Sequence, residues 1–209
     1  MVPPENMIDP PGLDVERSHW FEKRTVIGGV DEAGRGALAG PIVAGLVVLP
    51  PLNSLPDLLS GVYDSKKMKP NDRAFWAEKI KDVAAFWAIG VVSSQEIDQI
   101  GLQPANQLAM TRAIEAAERK ADFYLFDFIH WKKCPYPGQR YKKGESVSLS
   151  IAAASVLAKT ARDEMMIQFD AEYPHYCFRK HKGYGTLIHR NAIHQWGYCP
   201  IHRATFTLK

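Results

Sequence analysis

The 209-residue chain holds three cysteines, Cys134, Cys177 and Cys199, and no Cys-x-x-Cys pair. An odd, unpaired set argues against a disulfide framework and fits a reducing compartment, so a cytoplasmic location is expected. Long apolar runs are missing too. The longest, Ile42 to Leu52, is eleven residues, with Gly45, Pro50 and Pro51 inside it, against the ~20 needed to span a bilayer. No membrane contact is expected. The first twenty residues contain four prolines and neither an apolar signal core nor an Arg-rich amphipathic pattern, so neither export nor organelle import is expected. Hydrophobic residues at 46% and charged residues at 23% leave enough apolar surface to exclude disorder for the bulk of the chain.

Acid is also missing from the C-terminal end. Residues 173–209 carry six Lys and Arg, five His and no Asp or Glu, whereas residues 1–172 carry 20 basic against 23 acidic side chains. A second acid-free stretch, Ile129 to Gly144, interleaves Lys132, Lys133, Arg140, Lys142 and Lys143 with Trp131, Tyr136 and Tyr141. Basic side chains grip phosphates and aromatic rings stack on bases, so nucleic acid is the expected partner.

Apolar patterning gives the element order. Thr25 to Asp31, Ile42 to Leu49, Phe86 to Val92 and Phe123 to Phe128 are short and rich in β-branched or aromatic residues, and read as strands. Helices are expected from Pro70 through Val83, over Ser94 to Ile100, from Pro104 to Lys120 and from Ser150 to Phe169, with a further one after the glycine-rich His181 to Thr186 loop. Pro50 to Gly61 and Ile129 to Gly144 read as loops. The order indicates an α/β fold whose first strands are antiparallel neighbours.

Gly34-Arg35-Gly36-Ala37-Leu38-Ala39 matches a dinucleotide-binding fingerprint, but that reading needs a helix to start at the glycines. Gly40-Pro41 and a strand follow instead, so the reading fails on context. What remains is a strand-to-strand connection whose backbone can approach a ligand closely, with Arg35 beside it.

Asp31-Glu32 and Asp127 end apolar strands, and unpaired acids beside a core are costly unless a cation binds them. Asp163 shares a helix face with Ser155 and Lys159. If the strands of Asp31 and Asp127 are neighbours, Asp31, Glu32, Asp127 and Asp163 would meet at one sheet end as an all-oxygen site for Mg²⁺ or Mn²⁺. Adjacent strand residues face opposite ways, so Asp31 and Glu32 can both serve metals only if the strand ends or bulges there, or if Glu32 uses its main-chain carbonyl.

Taken together, VDEAGRGALAGPIVAG, the DSKK at Asp64 to Lys67, SIAAASVLAKTARD at Ser150 to Asp163, and HKGYGT with the downstream His202-Arg203 resemble prokaryotic ribonuclease HII from about Val26 to Phe206. The resemblance implies a ribonuclease H-like fold, a five-stranded mixed sheet flanked by helices. It implies a catalytic domain over residues 1–172 and a small, basic, helical segment over 173–209 packed on it. The activity implied is endonucleolytic cleavage 5′ to a ribonucleotide in RNA–DNA hybrids or in duplex DNA containing ribonucleotides, by a monomer. It places the family's four acids on Asp31, Glu32, Asp127 and Asp163, holding two divalent ions that activate water and stabilise the leaving 3′-oxygen. The Gly34, Arg35 and Gly36 backbone would sense the 2′-hydroxyl and Tyr184 would stack on the following sugar. Lys66, Lys67, Lys159, Lys182 and Arg203 would contact phosphates. Three residues depart from the family's usual pattern: Phe128 and Cys177 stand where glycine is usual, and Glu145 where aspartate is.

Rival readings remain. Cys177, His181, Cys199 and His202 offer four ligands for Zn²⁺ at loose spacings. A non-enzymatic nucleic-acid-binding module would use the same basic surfaces but leaves the strand-end carboxylates unexplained. Another nuclease or recombinase of ribonuclease H fold could share the acids, though not the two glycine-flanked motifs.

Overall fold

A computed structural model describes residues 11–22 and 26–207. In chain order the elements are α1 (Asp14–Phe21), β1 (Ile27–Ala33), β2 (Ile42–Val48), α2 (Leu55–Leu58), α3 (Pro70–Val83), β3 (Phe86–Val92), α4 (Ser94–Ile100), α5 (Leu102–Ala116), β4 (Phe123–Asp127), β5 (Gly138–Tyr141), α6 (Leu149–Glu172), α7 (Phe178–His181) and α8 (Leu187–Trp196), with single 3₁₀ turns at Gly144–Ser146 and Pro174–Tyr176. The five strands form one mixed sheet in the order β3-β2-β1-β4-β5. The first three are antiparallel, and β4 and β5 run parallel to β1. This is the expected ribonuclease H-like arrangement. Thr25, at the start of the first expected strand, lies outside the described residues.

Every residue of β2 is buried, because helices cover the sheet on both sides. α5 packs against β2 and β3 on one face, α6 against β1 and β2 on the other, with α3 outside α6. α6 lies unusually close. A Cβ on Gly29 would stand 2.1 Å from the Ser150 carbonyl carbon, and one on Gly45 2.5 Å from the Ala154 oxygen, so strand glycines and the alanines of α6 together permit the contact. α6 starts where the Ser148 hydroxyl accepts the Ile151 N–H, an N-cap of the usual kind.

Two stretches expected as loops contain structure. Leu55–Leu58 forms one helical turn behind Pro56. Gly138–Tyr141 is a fifth, edge strand paired with β4. Its residues are mostly exposed, so it shows no apolar alternation. Trp131 and Tyr136 are not displayed for base stacking. They pack edge-to-face with Phe126 and Tyr124 in the core on the α5 side, while the lysines and Arg140 of this stretch face solvent.

Residues 173–207 pack on the end of α6 through Tyr176, Phe178, Ala192, Ile193 and Ile201, which surround Met166 and Ala39. Backbone hydrogen bonds stitch them to the β1–β2 connection, from Leu38 N–H to Gly183, Gly40 N–H to Ile201 and Arg203 N–H to Leu38.

Candidate active site

β1 and β4 are parallel with Val30 opposite Phe126, so Asp31 and Asp127 come next in register at the carboxyl ends of adjacent strands. That end of an open sheet is where α/β folds bind ligands. Asp31 is buried, and its Oδ1 accepts the Glu32 N–H at 2.7 Å. Asp127 Oδ1 accepts the Gly144 N–H at 2.8 Å. This bond pins a turn in which Lys143 takes a left-handed backbone (φ 54°) and the next 3₁₀ turn carries Glu145 inward. Carboxylate oxygens of Asp31, Asp127 and Glu145 lie within 4.8 Å of one another.

The structure does not bring all four expected acids together. Strand β1 runs without a bulge to Ala33, so Glu32 points to the opposite face from Asp31, toward Asn106 of α5 and 3.5 Å from Arg35 Nη1. Asp163 stands apart from that cluster. Arg73 Nη2 donates to its Oδ2 at 2.7 Å and Lys159 Nζ to its Oδ1 at 2.6 Å, and Arg73 is fixed in turn by the carbonyls of Ser65 and Met68. Both oxygens of Asp163 carry ion pairs, one to Arg73 across the α3–α6 contact and one to Lys159 a turn earlier on α6. Glu145, seen in the sequence only as a variant residue, takes the place in the cluster.

Electrostatics set these groups apart from ordinary acids. Burial pushes the Asp31 carboxyl well above its usual range, and the nearby Glu32 and Asp127 push it further. Burial also raises Glu32, against the pull of Arg35, and raises Glu145, with Asp127 adding to it. Burial draws Lys66 down, but Asp31, Glu145, Asp64 and Asp127 outweigh it and raise it overall. Asp31 Oδ2, Glu32 Oε2 and Glu145 Oε2 are buried without a hydrogen-bond partner. Crowded anionic oxygens with lone pairs not engaged in hydrogen bonds suit a hard divalent cation, so the residues present fit Mg²⁺ or Mn²⁺.

Asn106 is a residue the motifs missed. It is fully buried, neither amide atom finds a partner at normal length, and it faces Glu32, whose ionised form it favours. The available signal was a polar side chain on the stripe Ala105, Ala109 and Ala113. Asn106→Leu should leave thermal stability unchanged or higher, because an unpaired buried amide is costly, while lowering turnover about tenfold, which corresponds to about 1.4 kcal/mol. Calorimetry and single-turnover cleavage check both.

Beside the acids opens a cavity of about 540 Å³ lined by Glu32, Ala33, Gly34, Arg35, Gly36, Ser65, Lys66, Lys159 and Tyr184. Gly34 has φ 94°, and a Cβ on Gly36 would meet nothing within 4 Å, so this backbone is open to a ligand. Tyr184, half-buried, faces Lys159 Nζ at 5.5 Å and the Arg162 guanidinium at 5.3 Å from its ring. Lys67 is exposed beside Asp64, and the Lys182 ammonium lies on the Arg179 carbonyl.

Arg203, expected on phosphate, is 1% exposed. Its guanidinium donates to the carbonyls of Gly34 (2.8 Å), Arg35 (2.9 Å), Gly40 (2.9 Å) and Pro41 (3.2 Å). Burial lowers it to about 9, which leaves it charged at neutral pH. Arg203 therefore holds the glycine loop from behind. Arg162, which the motifs did not single out, does the same for Ala39, Pro41 and Lys182. The zinc constellation does not form. Cys199 and His202 touch, but His181 is bonded to Tyr176 and Gly183, and among the described residues only Asp31, Asp127 and Glu145 gather at metal-ligand spacing. No helix among them is long and apolar enough to cross a membrane.

Comparison with known proteins points the same way. The ribonuclease HII family model matches residues 28–209. Ribonuclease HII of Syntrophotalea carbinolica is 49% identical over 180 residues, covering 86% of this chain and 84% of that one. The enzyme of that name from Dehalococcoides mccartyi is 42% identical over 196 residues, with 94% and 92% coverage. In fold, the chain is similar to the crystal structure of ribonuclease H2 from Pyrococcus horikoshii (TM-score 0.73, 24% identity, 88% and 94% coverage). It is also similar to ribonuclease HII of Archaeoglobus fulgidus in its complex with PCNA (TM-score 0.74, 20% identity, 88% and 96% coverage). A family match over nearly the whole chain, on a fold whose strand ends gather buried carboxylates beside an open glycine backbone, means that the chain belongs to the ribonuclease HII family of type 2 ribonuclease H endonucleases.

Proposed function

We propose that the protein hydrolyses the phosphodiester 5′ to a ribonucleotide, in RNA–DNA hybrids or at ribonucleotides embedded in duplex DNA, leaving a 3′-hydroxyl and a 5′-phosphate. The observation that carries this reading is the group of three convergent carboxylates next to a cavity that holds the open Gly36 backbone, with Lys66 lining the cavity and interacting with all three acids. Two divalent cations, Mg²⁺ or Mn²⁺, supply water activation and stabilisation of the leaving oxygen when bound. Asp31, Asp127 and Glu145 would hold them by their carboxylates. Glu32, on the far face of β1, would contribute through its main-chain oxygen.

The Gly34-Arg35-Gly36 backbone reads the 2′-hydroxyl, which both donates and accepts hydrogen bonds. Tyr184 lies against the neighbouring sugar. Lys66, Lys67, Lys159 and Lys182, with the basic segment after residue 172, engage phosphates. Three free cysteines suit the reducing cytoplasm, where the protein works as a monomer in this reading.

The test is a DNA duplex containing one ribonucleotide, incubated with purified protein and Mg²⁺ or Mn²⁺, beside an all-DNA duplex and a chelator control. The expected result is a single nick 5′ to the ribonucleotide with a ligatable 3′-hydroxyl upstream. No cut is expected in the all-DNA duplex or without metal. Equal cutting of both duplexes would remove the 2′-hydroxyl reading.

A further inference from the structure

Under the Gly183-Tyr184-Gly185 loop lie three buried histidines that the cleavage chemistry does not use: His181 ending α7, His189 in α8, and His202. The His181 and His189 rings stack at 4.5 Å, and Phe178 packs edge-on against both. Their hydrogen bonds leave one protonation pattern. His189 Nδ1 lies 3.0 Å from the Tyr184 carbonyl, which can only accept, so Nδ1 carries the proton and Nε2 is a bare acceptor. His189 Nε2 lies 3.0 Å from His202 Nε2, which must then be the donor. That leaves His202 Nδ1 to accept, and it receives the Cys199 N–H at 2.9 Å, with the Cys199 Sγ at 3.0 Å and the Cys199 carbonyl farther off at 3.3 Å. His181 Nδ1 likewise accepts the Gly183 N–H at 3.2 Å, while its Nε2 donates to the Tyr176 carbonyl at 2.8 Å.

We infer that His189 and His202, with His181 beside them, are positioning residues for sugar selection: a relay of neutral imidazoles holds the main chain of Gly183 and Tyr184 so that the Tyr184 ring faces the cavity. The inference rests on the reading that Tyr184 meets the sugar following the ribonucleotide. A proton added to His189 would set two N–H groups against each other at His202. One added to His181 would do the same at Gly183. The groups facing the relay are His181, His202, Tyr184, Cys199, Tyr176 and Tyr198, with Asp170 and Lys182 acting on His181. Among the described residues no carboxylate touches His189 to stabilise a charge. Burial lowers all three imidazoles, His189 to about 4.

The experiment measures the ratio of kcat/KM for a ribonucleotide followed by deoxyribose to that for one followed by ribose, in otherwise identical duplexes. In His189→Ala and His202→Ala this ratio should fall about tenfold, carried by the first substrate. His189→Asn, whose amide keeps a donor near the Nδ1 position, should restore most of it. Tyr184→Ala separates the two ideas. If it leaves the ratio unchanged, the Tyr184 reading fails; if it collapses the ratio while His189→Ala does not, the relay fails. Nitrogen-15 spectra of the unaltered protein give a reading that needs no variant. At about pH 7, His189 should carry its proton on Nδ1 and His202 on Nε2, and His189 should stay neutral down to about pH 5. An ordinary titration of His189 near its unperturbed value would overturn the inference.

Discussion

The Asp31→Asn protein should cut a ribonucleotide-containing duplex at least about a thousandfold more slowly than its parent, a barrier rise of about 4 kcal/mol, and yet melt at a higher temperature in chelator. Both expectations come from the same crowding. Asp31 is buried, its Oδ2 has no partner, and Glu32 and Asp127 lie close. A carboxyl raised above its unfolded value binds more protons folded than unfolded, so stability is present at low pH and is lost as pH rises through the folded value. At neutral pH the metal-free protein carries that cost, and asparagine removes it. In the parent, a bound cation removes it instead, so Mg²⁺ or Mn²⁺ should raise the melting temperature of the parent and leave Asp31→Asn nearly unmoved. Glu145→Gln should lose the same metal response, with cleavage down about a hundredfold. Asp163→Asn should keep the metal response while costing about 3 kcal/mol of stability, because it leaves Arg73 buried without its partner. Calorimetry with and without chelator, beside single-turnover cleavage, separates these cases. If Asp163→Asn erased the metal response and Glu145→Gln kept it, the two acids would have to exchange roles.

The contrast between Asp163 and Glu145 marks how far the sequence could be read. Acids that end apolar strands announce themselves, since Val, Ile and Phe must be buried and the acid goes where the strand goes; Asp31 and Asp127 were legible for that reason. Asp163 looked equally suitable because Ser155, Lys159 and Asp163 share a helix face, but helix spacing says nothing about Arg73 arriving from α3. Glu145 was hidden in a lysine-rich stretch. Only the left-handed backbone at Lys143 and the Gly144 hydrogen bond to Asp127 turn it inward.

The same limit explains β5. Its Gly-Gln-Arg-Tyr carries no periodicity because the edge of a sheet needs none when its inner neighbour, β4, supplies the apolar contacts. Strands β2, β3 and β4 and helices α3 to α6 were legible because each buries a stripe or a run. Trp131 and Tyr136 were misplaced on the surface by the company they keep. Neighbouring lysines set the local composition, while the rings themselves fill the core against Phe126 and Tyr124.

Arg203→Met should lower the melting temperature by about 6–12 °C without changing how steeply duplex binding falls with salt. The guanidinium is 1% exposed and spends its donors on the carbonyls of Gly34, Arg35, Gly40 and Pro41. Each buried carbonyl left short of a donor costs about 1–3 kcal/mol, and partial repair by water brings the expected total to about 3 kcal/mol; a domain of this size loses roughly 2–4 °C per kcal/mol. Lysine at this position should recover only part of the loss, since one compact ammonium cannot reproduce a planar fork reaching four acceptors. The salt dependence decides between a scaffold and a substrate contact. A side chain that neutralises one phosphate contributes about 0.9 to the slope of log affinity against log salt. Lys66→Ala, which removes a cavity-lining ammonium, should lose that increment. Arg203→Met should keep it, because nucleic acid cannot reach a guanidinium enclosed by the loop it supports. A lower slope with an unchanged melting temperature would instead mean that the β1–β2 connection opens to let Arg203 reach the backbone of the duplex.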